Sequence, residues 1–492
     1  MKWNKTISKL SAAGLAGAGC AYAVPENRPN IIVILTDDWG YGDLGANGAL
    51  ADVLTPNLDR LAKSGVLFTD GYCTAPQCSP SRAGLMTGRY QQRFGFDSII
   101  DGPLPLEEVT IAERLKAAGY ATGMVGKWHL EPNPVTVRWA NDKHPELERF
   151  ANGQVKIPEE IIRQYMPGKQ GFSDFYTGEM LRYWANYSLD GRDLYPLGEP
   201  VNHSQFRVLT QTSAALAFLE RNKKSPFFLY VGYFSPHVPL EAPEEFAKRF
   251  PGKMPERRRA GLALMSAVDD GVGQMVAWLE KEGLRENTLI VFSSDNGAPL
   301  GAMQGDPMQD VLPVGKAGPA WDGSRNDPLR GEKGMLSEGG IRIPLIAAWP
   351  KVFPPGQIYS HPINLLDITV TANAAAGLPD DPIFDGVNLI PYLTGEKTGA
   401  PQRDLFWKFW NQAAVRSGDW KFIQIGRDIS LLFNLKNDKE ENNNVIGQYP
   451  EVAAELKRKL EKWAADVQPA GLPRGGLNEQ EQKFYKYWFN KE

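Results

Sequence analysis

Three short apolar runs, each broken off by polar residues, constrain the fold of this chain most. Ile31 to Leu35 runs into Thr36-Asp37-Asp38, Phe227 to Val231 is followed by Ser235-Pro236-His237, and Leu289 to Phe292 leads to Asp295-Asn296-Gly297. Runs this short and this apolar fit strands buried on both faces, as the strands of a parallel sheet are. Between them lie helical patterns closed by glycine, Glu108 to Ala118 before Gly119 and Arg259 to Glu282 before Gly283. That alternation predicts an α/β fold with a large, mostly parallel central sheet flanked by helices. Ligands bind such sheets in the crevice beyond the strand carboxyl ends, which is where Asp37, Asp38, His237, Asp295 and Asn296 would gather.

The chain has 492 residues, 42% hydrophobic and 23% charged, enough for a large core and ordinary for a folded protein. Lys2, Lys5 and Lys9 precede a small, apolar run ending Ala21-Tyr22-Ala23, which reads as an export signal over residues 1–23. Cys20 within it leaves a lipid anchor open, with glycine three residues earlier where such anchors usually carry leucine. The formal charge of -4 becomes about -7 once those three lysines are removed, which argues against a broad nucleic-acid face. No later stretch is long and apolar enough to span a bilayer, so a soluble periplasmic or secreted protein is expected. Only Cys73 and Cys78 remain after such cleavage, too few for a disulfide framework. Alone, they would read as one local disulfide or two buried thiols.

Residues 24–380 form the expected catalytic unit. From Ala298 to Pro328 the chain is rich in Gly, Pro, Asp and Met without periodicity, which reads as a functional lid or as disorder. Beyond residue 380 the character changes to strand candidates Ala413 to Arg416 and Trp420 to Ile425 and a helix from Glu451 to Val467. Residues 381–492 are therefore expected to form a smaller antiparallel α+β subdomain.

The most informative segment is Cys78-Ser79-Pro80-Ser81-Arg82, continuing to Gly88-Arg89. A second block runs Gly119-Tyr120-Ala121-Thr122-Gly123-Met124-Val125-Gly126-Lys127-Trp128-His129, and a third runs Leu329-Arg330-Gly331-Glu332-Lys333-Gly334 on to Pro344. Together they resemble the formylglycine-dependent type I sulfatases of the alkaline phosphatase-like superfamily, whose signatures are C-x-P-x-R and G-Y-x-T-x-x-x-G-K-x-H. The resemblance runs from about Pro29 onward and includes Leu432-Phe433-Asn434-Leu435 with its acidic, Asn-rich continuation.

A sulfate ester is an anion that repels its nucleophile, so its site must supply positive charge. The resemblance implies that Cys78 is converted to formylglycine by a maturation enzyme. One hydroxyl of the hydrated aldehyde then attacks sulfur, and the second expels sulfate, which an ordinary serine could not do. Asp37, Asp38, Asp295 and Asn296 offer hard oxygens from two strand ends, with residue 78 beside them, a set that suits calcium or magnesium, and one calcium ion is expected. Such a cation would acidify the nucleophile and bind a sulfate oxygen. By the same resemblance Arg82 braces residue 78 and the acids, while Lys127 and Lys333 contact sulfate oxygens. His129 would assist proton removal and His237 would protonate the leaving oxygen, or the two histidines could exchange roles.

The expected substrate is a sulfated polysaccharide or oligosaccharide, an algal galactan such as carrageenan or a glycosaminoglycan. Trp139 to Pro200 carries Tyr176, Arg182, Tyr183, Trp184 and Tyr187, types that could line a sugar site but that more often form core. His144, His203 and His361 fall outside the three blocks and read as structural or surface residues. Two other readings remain: a phosphatase or phosphonate monoester hydrolase of the same superfamily, and an inactive homologue that binds sulfated glycans. A two-metal phosphatase would need further Asp and His ligands, and a binding-only homologue predicts damage in a catalytic set that is intact here.

Overall fold

The computed structural model describes residues 28–302, 308–309 and 320–489. The N-terminal export segment with Cys20, and residues 303–307 and 310–319 of the Gly- and Pro-rich stretch, lie outside the described residues. Ten strands form one large sheet. Its centre is five neighbouring parallel strands, in the spatial order Thr288–Ser294, Asn30–Asp37, Phe227–Pro236, Ala121–Gly126 and Asp174–Gly178. Leu345–Ala348 joins one side antiparallel, and a hairpin of Arg182–Ala185 and Glu199–Asn202 closes the other.

The buried apolar runs explain this centre directly. Every residue of Asn30–Asp37 is buried, and its side chains alternate between two cores. Ile31, Val33 and Leu35 pack into one, with the helices Cys78–Thr87, Ile111–Ala117 and Leu366–Ala375. Ile32 and Ile34 pack into the other, with Pro56–Lys63, Arg207–Asn222 and Glu256–Lys281. At roughly 1.5–3 kcal/mol per buried large aliphatic side chain, this double-sided burial dominates the sheet's stability. The helix expected to start at Glu108 starts at Ile111 instead, because Thr110 and Glu113 form a reciprocal capping box there.

The C-terminal part forms a four-stranded antiparallel sheet, Leu405–Phe409, Gln412–Ser417, Trp420–Ile425 and Ile429–Asn434, with the helix Pro450–Ala465 packed on it. Its junction with the large sheet is a buried ionic network. Lys421 lies 2.8 Å from both Glu338 and Glu441, Arg342 and Arg416 each lie 2.7 Å from Asp70, and the Tyr72 hydroxyl donates to Glu338 at 2.7 Å. Burial alone would raise the Glu338 carboxyl, but Lys421, Arg342 and Arg416 outweigh it and hold it down at about 2.

Because Lys421 is fully buried between two carboxylates, Lys421→Met should cost about 3–5 kcal/mol, the range for removing one partner of a buried ion pair. Thermal denaturation would show this as a lowered Tm; an unchanged Tm would mean that the junction does not depend on these ions.

Candidate active site

Four of the parallel strands deliver polar residues to one point beyond their carboxyl ends. Asp37 ends Asn30–Asp37, and Asp38 follows with φ of 67°. Asp295 and Asn296 follow Thr288–Ser294, Lys127 and His129 follow Ala121–Gly126, and His237 follows Phe227–Pro236. Cys78 opens the helix Cys78–Thr87, and Arg82 lies one turn further along it. Asp37, Asp38, Asp295, Asn296 and Arg82 are all buried.

Their contacts form a closed set. Arg82 donates to Asp295 through Nε at 3.0 Å and Nη2 at 2.8 Å, and through Nη1 to the Lys127 carbonyl and the Tyr230 hydroxyl, each at 3.0 Å. Lys127 Nζ donates to Asp37 Oδ2 at 2.5 Å, and Lys333 Nζ donates to Asp38 Oδ2 at 2.8 Å. The Asn296 amide donates to Asp38 Oδ1 at 2.6 Å. Burial opposes the charge on Asp37, yet Lys127, His237, Arg82 and Lys333 together hold its carboxyl well below the usual range. Burial, reinforced by Asp37, instead pushes Asp295 up to about 7.

This set fits a hard cation. Oδ1 of Asp37 and Oδ1 of Asn296 are buried acceptors without a donor, an arrangement that costs free energy unless something positive meets it. One ligand atom each from Asp37, Cys78 and Asp295 lies within 4.8 Å of the others, as does one each from Asp37, Asp38 and His237. Both groups share Asp37, so they are adjacent at the same strand ends. Burial raises the Cys78 thiol above its ordinary value, against the pull of Lys127 and Lys333, so an unmodified Cys78 is not a thiolate here.

The histidines differ. His129 has φ of 59°, and its Nδ1 is buried without a partner. Burial, followed by Lys127, drives its pKa well below the ordinary value. His237 is partly exposed; Nδ1 is 2.8 Å from the Val238 carbonyl, so the neutral ring leaves Nε2 free, 3.7 Å from Asp38. Its ring stacks on Phe234 at 4.8 Å, and Arg207, which the sequence did not mark, donates to the His237 carbonyl at 2.6 Å.

A cavity of about 350 Å³ opens on this centre, lined by Asp38, His237, Lys333, Gln77, Asp322 and Trp410 among others. The sequence-predicted residues therefore meet in space. The Trp139–Pro200 aromatics do not: Tyr176, Tyr183 and Tyr187 are buried in the core, Trp184 packs under Arg163, and Arg182 is exposed. None of them lines this cavity. His144 lies beside Glu146 and Trp139, His203 beside Tyr176, and His361 beside Tyr359. Cys73 and Cys78 are both buried and not bonded to each other. Of the stretch expected to be a lid or disordered, the described residues Trp321, Asp322, Ser324 and Asn326 are buried and packed, with Ser324 donating to Asp43 at 2.8 Å.

Comparison with known proteins gives one consistent answer. The family model described as Sulfatase matches residues 29–378, and one described as N-sulphoglucosamine sulphohydrolase, C-terminal, matches residues 331–466. Arylsulfatase A of Homo sapiens is 33% identical over 484 residues, covering 90% of this chain and 88% of the relative. N-acetylgalactosamine-6-sulfatase of Mus musculus is 31% identical over 424 residues, covering 80% and 70%. Among solved structures, Ps i-CgsB in complex with k-i-k-neocarrahexaose is similar with a TM-score of 0.72 and 30% identity, covering 94% of this chain and 97% of that one. A phosphonate monoester hydrolase of Agrobacterium radiobacter, at a TM-score of 0.60, 22% identity and coverage of 89% and 96%, shares the fold.

Gly126 sets the turn that sends Lys127 and His129 into the centre. It has φ of 87°, and an added Cβ would lie 2.1 Å from the Gly232 carbonyl oxygen, which accepts the Lys127 N–H at 2.7 Å. Gly126→Ala should therefore abolish turnover and lower Tm. Gly48→Ala, at a similar φ of 66° with nothing within 4 Å, should cost only the backbone strain, roughly 1–2 kcal/mol. Equal effects from the two variants, measured by thermal denaturation and turnover, would show that close approach at Gly126 is unimportant.

Proposed function

The chain belongs to the sulfatase family of sulfuric ester hydrolases, and on that premise we propose that it removes sulfate from a sulfated polysaccharide or its oligosaccharides. One observation carries the mechanism: Asp37, Asp38 and Asp295 face Arg82, Lys127 and Lys333 around Cys78. Buried acids and cations balance there, so a bound dication leaves a net positive centre, which an anionic ester needs and water could not supply as well. Asp37, Asp38, Asp295 and Asn296, with residue 78, would hold one calcium ion, which would supply Lewis acidity toward a sulfate oxygen. Conversion of Cys78 to formylglycine by a maturation enzyme would supply the nucleophilic hydroxyl that a neutral thiol lacks.

The chain's own side chains do the rest. Lys127 and Lys333 orient the sulfate through its oxygens, each held charged by a carboxylate within 3 Å. Arg82 fixes Asp295 and, through the Lys127 carbonyl, the loop behind that lysine. His237 lines the cavity, with Nδ1 held by the Val238 carbonyl and Nε2 3.7 Å from Asp38, which supports a role as general acid toward the leaving oxygen in the protonated form, which burial opposes and Asp37 and Asp38 favour. His129 does not line the cavity and suits the deeper proton transfer at residue 78. Substrate class is supported by a relative named N-acetylgalactosamine-6-sulfatase and by a similar structure solved in complex with k-i-k-neocarrahexaose. The basic and apolar N-terminal segment fits a periplasmic or secreted enzyme; no helix among the described residues is long and apolar enough to cross a membrane.

Cys78→Ser should lower sulfate release from sulfated oligosaccharides by about 10³-fold or more while leaving Tm unchanged. Near-native release by that variant, or faster release of phosphate than of sulfate by the parent enzyme, would reject this chemistry. Exhaustive chelation should remove turnover and lower Tm, with calcium restoring both. Full activity in protein shown by elemental analysis to be metal-free would eliminate the ion.

A further inference from the structure

We propose that Trp410 and Asp322 form a glycosyl-binding subsite that reads the sugar ring carrying the sulfate, so that the C-terminal sheet sets specificity for chemistry performed at the ends of the parallel strands. The proposal rests on the carbohydrate-sulfate reading of the site and deepens it.

Trp410 occupies a place that ordinary turn chemistry would give to glycine or asparagine. Phe409 pairs with Gln412, so Trp410 and Asn411 alone make the hairpin turn, and Trp410 adopts φ of 50°. A bulky side chain in left-handed backbone is costly, and such strain persists where surrounding structure enforces it, commonly at ligand sites. Enforcement is visible on both sides of the turn. Asn411 donates to Glu481 through its backbone N–H at 2.9 Å and its amide at 3.0 Å. Gln412, fully buried, donates to the Gly334 carbonyl at 3.0 Å and accepts from the Leu336 N–H at 3.1 Å. The result is a half-buried indole, stacked on Phe409 at 4.4 Å, held at the wall of the cavity that contains Asp38, His237 and Lys333.

Asp322 lines the same cavity and is 1% exposed. Its Oδ1 accepts from the Ser324 N–H at 3.1 Å, whereas Oδ2 has no partner among the described residues. A buried carboxyl oxygen in the wall of a cavity calls for a hydrogen-bond partner from the ligand, and because burial and Asp38 push this carboxyl well above the ordinary carboxylate range, Oδ2 can donate to a ligand oxygen as well as accept from one. Together an aromatic face and an unmatched carboxyl oxygen suit a pyranose: its C–H face covers the indole, and a ring hydroxyl, which can both accept and donate, satisfies Asp322. A steryl or simple aryl group could cover Trp410 but would leave the Asp322 carboxyl buried without a hydrogen-bond partner, which selects against it.

The test is steady-state kinetics of the formylglycine-bearing enzyme on a panel of sulfated galactan and glycosaminoglycan oligosaccharides, with an aryl sulfate and a steryl sulfate alongside. Trp410→Ala and Asp322→Asn should each lower kcat/KM on the best oligosaccharide by about tenfold to a hundredfold, mainly through KM, consistent with loss of a binding contact. Trp410→Phe should recover most of that loss. Trp184→Ala, on an outer strand away from the cavity, should behave as wild type, and melting curves should show all four variants folded. If wild type cleaves an oligosaccharide and both Trp410→Ala and Asp322→Asn stay within about twofold of it, the subsite is overturned while the carbohydrate reading stands. If wild type cleaves only the steryl or aryl sulfate, the carbohydrate reading fails and the subsite falls with it.

Discussion

Burying Asp37, Asp38 and Asp295 at one point is the constraint from which the rest of this structure follows. Taking each ion out of water costs several kcal/mol, and a buried ion pair repays that only with nearly complete hydrogen bonding. Arg82 meets the requirement with Nε, Nη1 and Nη2 all engaged, in a fork that a lysine could not reproduce. That fixes the helix Cys78–Thr87 against the sheet, and thereby the position of residue 78. The parallel order of the central strands is equally bound to this constraint, since only parallel neighbours bring all their carboxyl ends to one edge.

The same centre is deliberately incomplete. Lys127 and Lys333 satisfy one oxygen of Asp37 and the carboxylate of Asp38, yet Oδ1 of Asp37 and Oδ1 of Asn296 remain buried acceptors. A fold selected only for stability would fill such positions with apolar side chains, which often stabilises by a few kcal/mol. Retaining these unmet oxygens at the strand ends fits the cation-binding centre proposed above. The same crowding lowers the pKa of both histidines: burial leads in each, reinforced at His129 by Lys127 and opposed at His237 by Asp37 and Asp38.

How much of this could be read from the sequence depended on whether a residue's place was set locally. Asp37, Asp38, His237, Asp295 and Asn296 stood out because buried parallel strands read as unbroken apolar runs and polar residues mark their ends. Lys333 sits on a loop with no such pattern, and only the motif around Leu329–Pro344 exposed it. The aromatics between Tyr176 and Tyr187 carry a composition that suits either a sugar platform or a core, and the ordinary reading as core holds for Tyr176, Tyr183 and Tyr187. Trp410 and Asp322 left no usable signal. Trp410-Asn411 is not a sequence that announces a two-residue turn, and Asp322 looked like one more polar residue in a Gly- and Pro-rich stretch until packing buried it.

Gln412 links the two levels of the site. Its side chain bonds to Gly334 and Leu336, in the loop that begins with Lys333, while the residues just before it form the turn that presents Trp410. Tyr485, from the last described helix, donates to the same amide at 2.5 Å, and Glu481 of that helix accepts from it at 3.2 Å. An independent hairpin would drift relative to Lys333, and where Trp410 and Lys333 act on one substrate, as proposed above, an ångström of drift can cost two orders of magnitude in rate. Joining both through one buried amide fixes the Trp410 turn relative to the Lys333 loop, and Lys421, Glu338 and Glu441 lock the C-terminal sheet to the large one in the same region.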